Sequence, residues 1–236
     1  MARRKITNEE QALAAVRQNG KALKHMPKNL RTMKVYREAV RKDGWMLSEV
    51  PAELRTAALC LEAVKQDGSA LIAVPLNIMT AEICLEAVKQ DGWGALDDVP
   101  KNLMTAEICL EAVKQDGTAL QYVPQKLKTA EVCLEAVKQN GIALEYVPQK
   151  LRTAKLCLEA VKQYARALGY VPRSLKTAEL CLQAVKQLGS ALEYVPANLK
   201  TAELCLQAVK TVIRNVLEEV PKPLRGEVRR ALKSGE

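Results

Sequence analysis

The sequence predicts an all-α solenoid, a superhelix of nine units of about 24 residues, each with one α-helix and a short helical or 3₁₀ turn. Three observations predict this fold. Prolines recur at near-constant spacing, and a threonine lies five residues after each of the first eight of these prolines. Aromatic residues make up only 3% of the chain. Thin layers of small apolar residues need little aromatic volume. The prolines that mark the units lie 24 or 25 residues apart, at Pro27, Pro51, Pro75, Pro100, Pro124, Pro148, Pro172, Pro196 and Pro221.

The main element of each unit is an α-helix of about ten residues, as the unit that starts at Thr105 illustrates. A threonine hydroxyl can cap a helix start, and Glu107 and Lys114 complement the two ends of the helix dipole. We expect Gly117 to end the helix in a left-handed conformation. The same pattern predicts helix starts at Thr56, Thr80, Thr105, Thr129, Thr153, Thr177 and Thr201.

The second element is the segment around Val-Pro. Val123 precedes Pro124 and is therefore disfavoured in α geometry. The residues between Gly117 and Val123 can therefore form little more than one helical turn. Pro124 can begin a further turn that ends at Leu127. Such short pieces are more typical of 3₁₀ than of α-helix.

The chain reads as one helical repeat domain over residues 1–236. Residues 1–31 are predicted to form an N-terminal capping unit, 32–209 the repeats, and 210–236 a C-terminal unit with a basic tail. A basic capping helix is expected through Glu227–Leu232. Single-residue insertions are predicted beside Gly92-Trp93-Gly94 and near Val212-Ile213.

Charge and hydropathy limit the function classes. The net charge of +9 divides into +7 over residues 1–55, −6 over 56–120, +5 over 121–209 and +3 over 210–236. Because an acidic stretch interrupts the basic ones, the sequence predicts no continuous basic stripe for binding nucleic acid. The chain has no run of about 20 apolar residues, the length that crosses a bilayer, so no membrane span is predicted. Basic residues at Arg3 to Lys5 have no apolar stretch after them, so we expect no signal peptide and a cytoplasmic protein. Secretion by a signal-independent route stays open.

Seven cysteines occupy one position on successive helices. Equivalent positions on stacked helices lie about 8–10 Å apart, too far for a disulfide or for thiolates converging on one metal ion. We expect buried, reduced thiols that pack as small apolar groups, with no metal and no cofactor. The seven are Cys60, Cys84, Cys109, Cys133, Cys157, Cys181 and Cys205.

The recurring G-x-A-L-x-Y segment followed by a C-L-x-A-V helix resembles two bacterial repeat families. It is similar to the short helical repeat named domain of unknown function 4116 and to the leucine-rich repeat variant, whose units alternate α- and 3₁₀ helices. The first family favours small or polar residues where this chain has Val147-Pro148, and Asp where this chain has Thr at the helix start. The resemblance implies a solenoid with an interaction role in a bacterium, and it implies no catalytic residue.

No arrangement typical of an enzyme stands out. His25 is the only histidine and has no nucleophile or carboxylate partner at a familiar spacing. The Asp97-Asp98 pair lies beside the first insertion and reads as a solvated loop. We therefore expect a non-catalytic protein with no small-molecule substrate.

Variable positions after the glycine, before the valine and after the proline predict one continuous edge of the array. The position before the valine holds tyrosine in four consecutive units of the basic region. We predict that these tyrosines bind a partner together with neighbouring basic residues; the set is Tyr122, Tyr146, Tyr170, Tyr194, Lys126, Lys150, Arg166 and Arg173.

Three interpretations of the tyrosines remain open. Tyrosine and arginine are enriched at protein-binding hot spots, which favours a scaffold for protein–protein interaction. Aromatic residues among Lys and Arg also suit stacked bases and phosphates, so a nucleic-acid-binding array is the alternative. A third interpretation is that each ring only covers the core of its own unit.

Overall fold

A computed structural model describes residues 6–211 and 219–234. Within them the chain is all-helical, and none of these helices is both long and apolar enough to cross a bilayer. The α-helices are α1 Glu9–Gln18, α2 Met33–Lys42, α3 Ala57–Gln66, α4 Ala81–Asp97, α5 Ala106–Gln115, α6 Ala130–Gln139, α7 Ala154–Gln163, α8 Ala178–Gln187, α9 Ala202–Thr211 and α10 Arg225–Ser234.

The repeats form an all-α solenoid, as the spacing of the prolines predicts. The chain divides into two compact units, Met1–Gln115 and Asp116–Glu236. The finer division into a capping unit, repeats and a C-terminal unit stays a prediction.

The helix starts are where the threonines predict them. In α6, Thr129 has extended backbone and its Oγ1 accepts a hydrogen bond from the N–H of Val132 at 3.2 Å. This bond satisfies one of the amides that the first helical turn leaves without a partner. The same cap recurs at Thr56, Thr80, Thr105, Thr153, Thr177 and Thr201.

The helix ends differ from the prediction that a left-handed glycine stops each helix. The residue before Gly117 is Asp116, whose φ of −140° and ψ of 111° are extended, and Gly117 then begins a 3₁₀ helix. Glycine is required there for another reason. A Cβ on Gly117 would lie 2.2 Å from the carbonyl oxygen of Ala136 in the next repeat, so the glycine permits close approach of two backbones.

The segments after the α-helices are 3₁₀, as predicted. In the second compact unit, Asp116–Glu236, a longer 3₁₀ segment starts at the glycine position of a repeat and a three-residue 3₁₀ segment follows the proline. The longer segments are Gly117–Gln121, Gly141–Tyr146, Ala165–Tyr170 and Gly189–Tyr194, and the shorter ones are Gln125–Leu127, Gln149–Leu151, Arg173–Leu175 and Ala197–Leu199.

The core lies where the apolar faces of both elements meet. Helix α6 buries Cys133 and Val137, and the 3₁₀ segment that follows buries Leu144. A ten-residue helix is marginal in water on its own. The stacking of neighbouring repeats therefore supplies most of the stability.

The first insertion changes one repeat locally. Helix α4 continues to Asp97 through a kink at Asp91 and Gly92, and Gly92 has a φ of 44°. The long 3₁₀ segment is absent from this repeat within the described range 81–97. The predicted second insertion near Val212-Ile213 lies outside the described residues. The predicted basic helix through Glu227–Leu232 is confirmed as part of α10.

Deleting residues 129–152, one full period, should leave a folded helical protein, because each repeat packs mainly on its neighbours. The junction then joins Lys128 to Thr153, which recreates the native order of the repeat. Circular dichroism should show an unchanged helical fraction and a cooperative melt. Deleting only 129–140 is the control, since it breaks the phase and should abolish the cooperative melt. Unfolding on the full-period deletion would contradict nearest-neighbour stacking.

Candidate interaction surface

The four predicted tyrosines lie at the ends of consecutive long 3₁₀ segments of the second unit. Tyr122 has 39% of its surface exposed, and Tyr146, Tyr170 and Tyr194 are half-buried. We call these four residues the tyrosine ladder. Each precedes a buried valine, so the 3₁₀ segment is anchored in the core directly beside its tyrosine.

Two residues of the tyrosine ladder, Tyr170 and Tyr194, contact the neighbouring repeat. A Cβ on Gly169 would lie 3.1 Å from Cδ1 of Tyr194, so the Tyr194 ring packs over the position that precedes Tyr170. The Tyr170 hydroxyl donates to the carboxylate of Glu145, which precedes Tyr146. In both cases a tyrosine reaches back by one repeat, so the part of its ring that stays exposed has a defined position.

Hydrogen bonds to carboxylates change the acidity of two ladder hydroxyls. The hydrogen bond to Glu145, burial and the charge of Glu145 raise the pKa of Tyr170. The hydrogen bond to Glu193 and burial raise the pKa of Tyr194, against the opposing effect of Arg166. The phenols are thus neutral donors held by carboxylates.

The predicted basic residues are exposed but are not all brought to the tyrosine ladder. Arg166 lies close enough to Tyr194 to influence its pKa. Lys126, Lys150 and Arg173 lie in the short 3₁₀ segments, and they make no hydrogen bond or ion pair with any described residue.

Sequence reasoning missed a second set of cations, at the position before the helix-capping threonine. Lys128 Nζ donates to the carbonyl of Tyr146 at 3.1 Å, and Lys176 Nζ donates to the carbonyl of Tyr194 at 2.9 Å. We call Lys128, Arg152 and Lys176 the clamp cations.

Arg152 makes the fullest set of clamp contacts. Its Nη1 donates to the carbonyl of Tyr170, Nε to Val147 at 2.9 Å and Nη2 to Glu145 at 3.0 Å. The clamp cations therefore fix the backbone of three ladder tyrosines from the preceding repeat. Burial lowers the pKa of Lys128 and of Lys176. The only signal in the sequence is that Lys or Arg recurs before the threonine.

The seven cysteines are buried and free, as predicted. Burial raises the pKa of Cys84, Cys109 and Cys133 to about 11. A thiol with such a pKa is protonated at neutral pH and is a poor nucleophile. Among the described residues, no group of three or more His, Cys, Asp and Glu side chains is arranged to hold a metal ion.

The remaining predicted polar residues lie at the surface of the first unit. His25 is exposed at the end of the first long 3₁₀ segment. Asp97 and Asp98 are both exposed, and the expectation of a loop is wrong for Asp97, which is the last residue of helix α4, while Asp98 lies in the turn that follows. Burial and then the charges of Asp97 and Asp91 raise the pKa of Asp98.

The family model described as Domain of unknown function (DUF4116) matches residues 8–55, 105–152, 130–176 and 155–200. The chain belongs to the DUF4116 family. Each matched segment spans about two of the repeats defined above, so the DUF4116 unit is a pair of neighbouring repeats, and three of the matched segments overlap. No curated protein and no solved structure matches the chain.

Proposed function

We propose that this DUF4116 protein is a non-catalytic scaffold that binds another protein through the tyrosine ladder. The observation that carries the proposal is the construction of the ladder. Partly exposed rings stand in four consecutive repeats, and clamp cations fix the backbone of three of them. Aromatic rings held in place before binding give contact area at a low entropic cost.

The charges around the ladder favour a protein over nucleic acid. Carboxylates of Glu145 and Glu193 accept hydrogen bonds from ladder hydroxyls, and they would repel phosphates on the same surface. The clamp cations donate to backbone carbonyls and are partly buried, so they do not form a phosphate-binding stripe. The +5 charge of residues 121–209 therefore overstates the basicity available to a partner.

Nucleic acid is the second candidate because of four exposed cations. Arg166 is an electrostatic neighbour of Tyr194, and Lys126, Lys150 and Arg173 are exposed without partners among the described residues. A backbone-binding array would use such cations together with stacked aromatic rings.

We further propose a cytoplasmic location. The protein buries seven reduced thiols, and unpaired cysteines at this density suit a reducing compartment.

The test is binding by a variant with all four ladder tyrosines changed to alanine. A partner is first captured from source-cell lysate with and without nuclease, and its affinity for the purified chain is then measured. Each lost ring should cost about 1–2 kcal/mol of binding free energy if the ladder is a protein hot spot. Circular dichroism must first show that the variant keeps its helices.

Two further variants separate the candidates. Changing the four ladder tyrosines to phenylalanine keeps the rings and should preserve most of the affinity for a protein partner. Changing Lys126, Lys150 and Arg173 to glutamine should weaken binding strongly only for nucleic acid, whose affinity also falls steeply with salt. Unchanged affinity in the four-alanine variant would contradict the proposal and leave the rings as covers for their own repeats.

A further inference from the structure

A groove of about 660 Å³ crosses the first unit where helices α1 to α3 end and helix α4 kinks. The last helical residue, the residue that ends the helix and the glycine line it in the first three repeats, and Gln90 and Asp91 line it at the kink of α4. It lies apart from the tyrosine ladder in sequence, since its lining falls entirely between Gln18 and Asp91.

Glycines line the groove in three successive repeats, at Gly20, Gly44 and Gly68. A Cβ on Gly44 would lie 2.3 Å from the carbonyl oxygen of Ala63, and one on Gly68 would lie 2.4 Å from that of Ala87. Glycine at these positions lets neighbouring backbones approach closely at the ends of the helices. Helix C-termini carry partial negative charge, so this part of the groove favours a cation.

Carboxylates strengthen that preference. Asp43, Asp67 and Asp91 line the groove from three successive repeats, and Lys42 is the one cation beside them in this lining. Within the described part of the chain none of the three carboxylates forms an ion pair; Asp67 accepts hydrogen bonds only from Ser69. Two of them lie in the stretch 56–120, which carries a net charge of −6.

Amide side chains line the groove with free hydrogen-bonding groups. The exposed side chains of Gln66 and Gln90 make no hydrogen bond with any described residue. In the second unit, Gln163 at the same position donates to the carbonyl of Lys138 at 2.7 Å and accepts from the N–H of Gly141 at 2.9 Å. There the amide bridges the backbones of two repeats, as Gln115 does at the end of the first unit by donating to the carbonyls of Val88 and Lys89 at 2.8 and 3.0 Å. Gln66 and Gln90 make no such bridge to a described residue, so their amides can bind a ligand.

The spacing of these amides suits an extended peptide. Neighbouring helices pack about 8–10 Å apart, and three extended residues span about 10 Å. The amides of Gln66 and Gln90, in neighbouring repeats, can therefore meet the backbone of a peptide three residues apart.

Both tryptophans of the chain are close in sequence to residues that line the groove, Trp45 directly after Gly44 and Trp93 two residues after Asp91. They occupy the position directly after the glycine, the position from which Ser69 lines the groove in the repeat between them. Trp45 has 38% of its surface exposed and Trp93 has 50%.

We propose that this groove binds an extended basic segment of another protein. Arg or Lys side chains of the segment pair with Asp43, Asp67 and Asp91, and its backbone hydrogen-bonds to Gln66 and Gln90. The site takes a linear motif through charge and backbone contacts, and it is separate from the tyrosine ladder.

The test uses the full chain and two ten-residue peptides with blocked ends, one of alternating Arg and Thr and one of alternating Glu and Thr. Trp45 and Trp93 are the only tryptophans, so intrinsic fluorescence reports on the segments that follow the lining residues Gly44 and Asp91. The Arg–Thr peptide should change the fluorescence in a saturable manner that weakens with salt, and the Glu–Thr peptide should not. Absence of saturable binding by the Arg–Thr peptide overturns the proposal.

The decisive variant is the triple change Asp43→Asn, Asp67→Asn and Asp91→Asn. Asparagine already occupies this position at Asn19 and Asn140, where its side chain accepts the same backbone hydrogen bond. We therefore expect the fold to be kept and the affinity to fall about tenfold, as the loss of three exposed charge pairs implies.

The matched control changes Glu10, Glu53 and Glu107 to glutamine, three exposed carboxylates of the first unit outside the groove. The net charge changes equally, but the affinity should stay within about twofold because distant surface charges are screened. Equal weakening by both triple variants would mean general charge attraction and would overturn the proposal. The four-alanine ladder variant should bind the peptide normally, so failure here is distinguishable from failure of the tyrosine ladder.

Discussion

Gly117→Val should destabilise the protein by about 3 kcal/mol or more, since even the first added carbon has no room. A Cβ there would lie 2.2 Å from the carbonyl oxygen of Ala136 and 3.0 Å from Cβ of Asn140. Accommodating it requires that the 3₁₀ segment Gly117–Gln121 move away from α6, which removes the buried contacts of both. Chemical denaturation monitored by circular dichroism measures the loss.

Gly226→Val is the matched control, because nothing lies within 4 Å of a Cβ on Gly226 in helix α10. Valine has a higher helix propensity than glycine, so this variant should be neutral or slightly more stable. Ala165 holds the position of Gly117 in the seventh repeat, and Ala165→Gly should change the stability by at most about 1 kcal/mol. A neutral Gly117→Val variant would show that the backbones do not approach as closely as described.

The phase of the repeat could be predicted from the sequence because it depends on local chemistry. Thr129 caps a helix with its own hydroxyl, and Val123 before Pro124 disfavours α geometry. These backbone preferences depend only on residue types within three or four positions, so they can be predicted directly from the sequence.

The role of the recurring glycine could not be predicted in the same way. Glycine serves both for a positive φ and for close backbone approach, and the sequence does not separate the two. Gly92 is the only glycine with a positive φ in the described part of the chain, at the one kinked helix. At Gly117 the obstacle belongs to the next repeat.

The candidate sites were only partly predictable for a similar reason. The tyrosines were recognisable because they share one position in consecutive repeats. The clamp cations looked like surface charges, since the carbonyl that Lys128 contacts belongs to Tyr146, 18 residues away. The groove was missed because Asp43 and Asp67 read as ordinary helix ends, and only stacking of the repeats aligns them.

The second large effect concerns alkaline pH. Burial raises the pKa of Cys84 and Cys109 from 9.0 to about 11. A thiol pKa that is higher in the folded than in the unfolded state contributes stability that is fully present below pH 9 and lost as pH rises through 11. Each of these thiols should lower the free energy of unfolding by about 2 kcal/mol at pH 11 relative to neutral pH. Urea denaturation at several pH values between 7 and 11 measures the fall.

The double variant Cys84→Ala and Cys109→Ala separates this contribution from other titrating groups. It should be less stable than the parent at pH 7, because two buried side chains shrink, yet its stability should fall less steeply between pH 9 and 11.

The control is Cys60→Ala with Cys157→Ala, since Arg55 and Arg152 oppose the rise in the pKa of those two thiols. Met79 and Met104 hold the position that Arg55 and Arg152 hold before the other two helices, so no arginine offsets the burial of Cys84 and Cys109. An equal flattening of the pH dependence in both double variants would contradict this account, because it would mean that the neighbouring arginine does not affect how strongly the thiol resists ionisation.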